Sequence, residues 1–261
     1  MLFFHFALAF LGTVRDLLQS VYIGGSKMND KQLSLRLERV ASHLYHFKRI
    51  ADIGSDHGYL PCYLALRCPG LTAIAGELNE GPYQSACAQV SRSGLSDAVE
   101  VRKGNGLEVL RSDDKVEAIA IAGMGGPLIA SILEEGKTKL RGVQTLVLQP
   151  NIAAHAVREW LSHHEFSISA EEIIEEDGKI YEIIVAVPEK GTPSLTEADL
   201  LLGPILRREK GSAFQKKWRR EQQSWLQVLE ELKKGKQTKE MSDKQRKLER
   251  KLQLVKEALG E

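Results

Sequence analysis

The sequence predicts a doubly wound α/β domain followed by an α-helical hairpin. Three patterns carry that prediction. Between residues 49 and 162, short apolar runs alternate five times with helical stretches, as in a mostly parallel sheet covered by helices. Two longer runs then flank Asp177-Gly178, a hairpin turn signal that closes the sheet with an antiparallel pair. Beyond Pro193 the chain becomes charged and helical, with apolar residues at seam spacing.

Taken in order, Leu33, Leu37, Val40 and Leu44 recur at helical spacing and predict one amphipathic helix. Arg49–Ile53 is a short strand, and Tyr59–Leu66 the helix after it. Thr72–Gly76 is the second strand, ending at Glu77. Asn79 and Pro82 mark a helix start, with Tyr83, Ala86, Cys87 and Val90 as its buried stripe. Val99–Arg102 is the third strand. Val116–Ala122 (VEAIAIA) is continuously apolar, as in a strand buried on both faces. A helix follows near Pro127–Leu133, then the strand Thr145–Leu148 and the helix Ala153–Ser162. Phe166–Ile174 and Ile180–Val187 form the closing pair.

Composition bounds the function classes. With 43% hydrophobic and 27% charged residues among 261, the chain has the makeup of a soluble globular protein rather than a disordered or membrane-bundle one. Its three cysteines (Cys62, Cys68, Cys87) form no C-x-x-C pair, which argues against a disulfide framework and a zinc site and suits a cytoplasmic location. No metal is expected. The net charge of +1 hides an asymmetry: from Arg207 onward there are 17 Lys+Arg against 9 Asp+Glu, and before it 19 against 26. A basic tail on an acidic body is a prior for a polyanionic partner.

The first 27 residues read as an extension outside the domain. Met1–Val14 is apolar but too short to span a bilayer, and it lacks the basic start of a secretory signal, so no stable membrane association is expected. Ile23-Gly24-Gly25 can be encoded by ATA-GGA-GGA, a purine-rich ribosome-binding sequence just upstream of Met28. Residues 1–27 are therefore expected to be a translated leader or an over-extended start. The domain is expected at 28–190 and the basic helical unit at 191–261.

In a doubly wound sheet, ligands bind beyond the carboxyl ends of the strands, where strand order reverses. The chemically suggestive residues all fall at strand ends. Asp52-Ile-Gly54-Ser-Asp-His-Gly58 ends the first strand with glycines that let a ligand approach the backbone. The spacing is not the G-x-G-x-x-G of a dinucleotide fold, which argues against an NAD-dependent oxidoreductase, and it matches the first motif of Rossmann-like methyltransferases. Glu77 ends the second strand, where a carboxylate can accept both ribose hydroxyls of a nucleoside. Gly104-Asn105-Gly106 follows the third strand and reads either as a turn or as a contact to an adenine edge. Gly123-Met124-Gly125-Gly126 follows the fourth, and its glycines let the backbone meet two ligands at once. Gln149-Pro150-Asn151 follows the fifth, as ligand contacts or as caps.

Together with Leu33–Leu37 (LSLRL), the segments DIGSDHGYLP (52–61), AGELNEGP (75–82), IAGMGG (121–126) and LQPNI (148–152) resemble the bacterial family that methylates N1 of adenine 22 in tRNA. The resemblance runs from Met28 to the C-terminus. It implies a Rossmann-like methyltransferase domain using S-adenosyl-L-methionine, a C-terminal coiled coil and a tRNA partner. The donor would be held by Asp52, Gly54, Ser55, Gly58, Glu77, Leu78, Gly104, Asn105, Gly106 and Gly123. The target base would lie beside Met124, Gly125 and Gly126, with Arg36 on the same side. Asn105 departs from the family's usual Asp, yet its amide can still pair with an adenine edge. Adenine N1 has a free lone pair, so no general base is nominated; Asp56, His57 and Asn151 are candidates for holding the base. A small-molecule methyltransferase fits the catalytic segments but leaves the basic tail unexplained. A non-catalytic RNA-binding protein fits the tail but leaves the strand-end motifs unexplained.

In the tail, Trp218, Trp225, Leu229 and Leu232 form one seam, and Leu248, Leu252, Val255 and Leu259 another. The stretch from Gly235 to Lys239 is expected to make the turn between two helices. The seam assigns Trp218 to packing, while Lys216, Lys217, Arg219 and Arg220 around it suit phosphate contact. The sequence sets no oligomeric state.

Overall fold

The computed structural model describes residues 32–191, 194–234 and 238–261. The expected extension over residues 1–27 lies outside them, as does part of the turn expected at 235–239. The first helix, α1, spans Leu35–Ser42; the Ser34 side chain caps it by accepting from the Leu37 N–H. Then follow β1 (Arg49–Ile53), α2 (Tyr59–Arg67), β2 (Thr72–Glu77), α3 (Glu80–Arg92), β3 (Val99–Lys103), β4 (Ala118–Gly125), α4 (Gly126–Glu135), β5 (Thr145–Ile152) and α5 (Ala154–His163). The long pair β6 (Phe166–Glu176) and β7 (Lys179–Pro188) completes the sheet. At its turn Asp177 and Gly178 have φ of 49° and 74°, the left-handed pair that a tight hairpin demands.

The seven strands lie in the order β3-β2-β1-β4-β5-β7-β6, with β7 antiparallel to both neighbours. The chain winds outward from β1 through β2 to β3, then returns to place β4 on the other side of β1. That reversal opens a crevice beyond the carboxyl ends of β1 and β4.

The alternation AIAIA in β4 builds two different faces. Ile119 and Ile121 join a core with Ile129 and Leu133 of α4 and Val157 and Leu161 of α5. Ala118 and Ala120 face the opposite core, with Val40 and Ala41 of α1 and Leu60 and Leu64 of α2. Small side chains on that face let α1 lie close to the sheet, which brings Arg36 to the crevice.

The tail forms α6 (Glu197–Leu202), α7 (Leu206–Glu209), α8 (Ser212–Lys234) and α9 (Lys239–Leu259). Phe214, Trp218, Leu202, Leu206 and Val255 form their own core, with Ile173 of β6 packed against it. Trp218 is therefore a packing residue, as its seam position predicts. Beneath that core the Arg158 guanidinium of α5 is fully buried. It meets Glu171 of β6 at 2.7 Å and Glu182 of β7 at 2.6 Å. Glu171 also accepts the Ile205 N–H at 2.8 Å, and Glu182 pairs with Lys217 of α8. One charge cluster thus joins the sheet's hairpin to the helical unit.

Candidate active site

The crevice beyond β1 and β4 is a cleft of about 360 Å³. Asp52, Gly54, Ser55 and Asp56 line it from the end of β1, Glu77 from β2, and Gly123 and Met124 from β4. Asn151 of β5 and Arg36 of α1 complete the wall on the acceptor side.

The first loop is shaped by its glycines and held by a carboxylate. Gly54 has φ of 73°, a left-handed conformation that favours glycine, and a Cβ there would meet the end of the Met124 side chain. Asp56 is also left-handed, with φ of 54°, a rare conformation for a residue with a side chain. Its N–H donates to the Glu77 Oε1, so Glu77 fixes the loop as well as facing the cleft. Asp52 is buried and accepts the Ser55 hydroxyl at 2.6 Å. Burial pushes its carboxyl up to about 7, with help from Glu77 and Asp56 and against the Ser55 hydrogen bond. Burial raises Glu77 too, opposed by the Asp56 N–H. Three carboxylates in so small a cleft favour a cationic ligand.

The acceptor side is a hydrogen-bonded lattice. The Gly123 N–H donates to the Gln149 Oε1 at 2.9 Å, and its carbonyl accepts from the Asn151 Nδ2 at 2.7 Å. Gln149 also accepts from the Arg36 guanidinium and donates to the Asn151 Oδ1 at 3.2 Å. The Gly123 peptide, with φ of 80°, is thereby gripped at both polar atoms. Asn151 keeps one amide proton and one lone pair for a ligand.

Other expected residues take different places. Asn105 is exposed at the start of a short 3₁₀ turn and reaches Glu135 at 3.5 Å, outside the cleft lining. Gly58, Leu78, Gly104, Gly106, Gly125 and Gly126 are also outside the lining. Gly126 has a packing reason: a Cβ there would stand 2.1 Å from the Ala153 carbonyl oxygen. The His57 side chain is half exposed, 3.6 Å from the Asp56 carboxylate and beside the Tyr59 ring. Lys217 is occupied by Glu182, Lys216 pairs with Glu175, and Arg220 donates to the Gly178 carbonyl at 3.2 Å. Among the described residues Arg219 makes no ion pair.

Sequence reasoning missed Tyr59, Leu37 and Pro82 as cleft walls and the role of Gln149. Tyr59 lies inside the first motif, so proximity to Gly58 was an available signal. Gln149 had none beyond its strand end, because its partners come from α1 and β4.

A sheet in this order, with a glycine loop after β1 and a carboxylate ending β2 at its reversal point, defines a Rossmann-like methyltransferase. The chain belongs to the TrmK family, described as tRNA (adenine(22)-N(1))-methyltransferase, whose match spans residues 50–257. A tRNA (adenine(22)-N(1))-methyltransferase of Bacillus subtilis (strain 168) is 44% identical over 238 residues, covering 89% of this chain and 99% of that protein. The crystal structure of the B. subtilis tRNA methyltransferase TrmK superposes with a TM-score of 0.82 at 43% identity, covering 88% of this chain and 99% of that one. A Streptococcus pneumoniae relative in complex with S-adenosyl-L-methionine has a TM-score of 0.78 at 43% identity, covering 87% of this chain and all of that one.

Proposed function

We infer that this protein transfers a methyl group from S-adenosyl-L-methionine to N1 of adenine 22 in tRNA. The observation that carries the reading is the strand-end cleft itself, in a chain whose curated relative at 44% identity bears that name. The residues present fit the donor: Gly54 admits a ligand against the backbone, and Asp52, Asp56 and Glu77 complement its positive charges and ribose hydroxyls. When bound, the donor supplies an electrophilic methyl on a positively charged sulfur.

The protein's part is to position and to shield. Adenine N1 attacks with its own lone pair, the sulfur–carbon bond breaks as the nitrogen–carbon bond forms, and no proton moves. The positive charge passes to the adenine ring, so the carboxylates face a cation before and after the step. The Gly123 peptide, clamped by Gln149 and Asn151, gives the base a fixed wall, and the remaining Asn151 donor and acceptor suit an adenine edge. Holding two reactants in line is catalysis by proximity. Asp56 and His57, at the rim, are proposed to orient the base rather than to exchange its protons.

For the tRNA backbone we assign Lys216, Arg219 and Arg220, which line a shallow concavity on α8 with Gln215 and Gln223. Lys217 is left out because its partner Glu182 is buried, whereas the pair of Lys216 with Glu175 is open to solvent. A tRNA substrate supports a cytoplasmic location. The test is transfer of a labelled methyl group to bulk tRNA and, separately, to a small-metabolite pool. Label in tRNA alone is the expected outcome; label in metabolites alone would make the protein a small-molecule methyltransferase.

A further inference from the structure

We propose that Ile152 is an apolar wedge that enters the RNA stack beside the target adenine and keeps that base turned out into the cleft. The proposal rests on the tRNA methyltransferase reading and adds to it how the substrate is opened.

Ile152 is 70% exposed, the most exposed large apolar side chain among the described residues. It ends β5 directly after Asn151, which lines the cleft, so it stands at the mouth of the acceptor side. At that exposure the Ile152 side chain contributes little burial to the fold of this chain. Its backbone, however, is held in place. It pairs with Gly125 at the bulged end of β4. The next residue, Ala153, is left-handed with φ of 54°, a conformation that costs a non-glycine residue energy and persists only under constraint. The constraint is Gly126, whose backbone lies so close that a Cβ would stand 3.1 Å from the Ile152 carbonyl oxygen and 2.1 Å from that of Ala153. The segment is thus clamped with a stiff, β-branched apolar side chain aimed outward.

A base in a folded tRNA is stacked, and methylation at N1 requires its Watson–Crick edge to reach the cleft. Turning it out leaves a gap between its neighbours. Rigid apolar side chains fill such gaps elsewhere in nucleic-acid recognition, and isoleucine is among those used. Leu128, 54% exposed in the first turn of α4, adds a second apolar residue on the same side of the sheet's end.

The experiment places 2-aminopurine, which fluoresces when unstacked, at the target position of a tRNA transcript and titrates it with the full chain. Turnover is measured in parallel on the adenine-containing transcript. The wild-type chain is expected to raise the fluorescence on binding. Ile152→Ala is expected to lose most of that rise and about tenfold in kcat, with affinity for tRNA and for S-adenosyl-L-methionine unchanged. Ile152→Leu should restore both signals. Full fluorescence and full turnover in Ile152→Ala overturn the wedge, as does a wild-type chain that binds tRNA with no rise. A wild-type chain that binds no tRNA overturns the underlying functional reading instead.

Discussion

The donor side depends on individual carboxylates whose neighbours give each a distinct task. Glu77 accepts the Asp56 N–H and lines the cleft, so Glu77→Ala removes a proposed ligand acceptor and a loop anchor together. Calorimetry should show donor affinity weakened by about 1.5–3 kcal/mol, the usual worth of a charged hydrogen bond; an unchanged affinity in a folded variant would remove Glu77 from the site. Asp52 makes a pH prediction. Its carboxyl, raised from 3.8 to about 7, keeps a proton in the folded state that the unfolded chain has already lost. Stability contributed this way is complete below about pH 4 and is lost as pH rises toward 7. A cationic ligand draws the proton off, so donor-induced stabilisation should grow across the same interval. Thermal melts from pH 5 to pH 8 check this: the gain should steepen in the wild type and flatten in Asp52→Asn. At this scale Asp52, Gly54 and Glu77 were legible as cleft lining because they stand at the ends of β1 and β2. Asn105 lies outside the cleft lining, and a residue between two glycines carries no signal of which way its turn faces.

The elements show where sequence patterns stop. Strand and helix order was readable as far as β7, since two-sided burial makes β1, β2, β4 and β5 apolar runs, whereas the short α6 and α7 ahead of the expected hairpin were not read. The ends of β4 and β5 were not. Glycine is a poor strand former, so the run past Ala122 reads as a loop, yet it stays paired with β5 through two register shifts. The coupling of α8 to the sheet was also invisible. Lys217 looks like its basic neighbours until Glu182, 35 residues earlier, is brought beside it. Arg158 and Lys217 outweigh the burial that would raise Glu182 and hold it below the usual carboxylate range. Arg158→Leu would take the cation from buried Glu171 and leave Glu182 with Lys217 alone, and should cost about 3–5 kcal/mol in urea unfolding. A loss near zero would mean that the apolar helix core alone docks the tail.

Across the whole molecule, charge and fold divide the labour. The body before Arg207 is acidic and the tail basic, the charge split on which the proposed docking of RNA on the helices rests. Replacing Lys216, Arg219 and Arg220 with Gln should weaken tRNA binding and flatten its dependence on salt, because fewer counterions are released. Donor affinity should stay level, since those residues line α8 and not the cleft. An unchanged salt slope would place the RNA on another face. No described helix is long and apolar enough to cross a membrane, and no group of three or more metal-ligating side chains occurs among the described residues.

The central claim is one methyl group on one ring nitrogen of one tRNA position. The direct measurement is mass spectrometry of nuclease fragments from an unmodified tRNA transcript treated with the protein and S-adenosyl-L-methionine, beside a transcript with guanine in place of adenine 22. The account predicts a single added methyl, recovered as 1-methyladenosine in the fragment that contains position 22, and none in the guanine transcript. Equal methylation of both transcripts, or a methyl group on any other atom of that adenine, would contradict it.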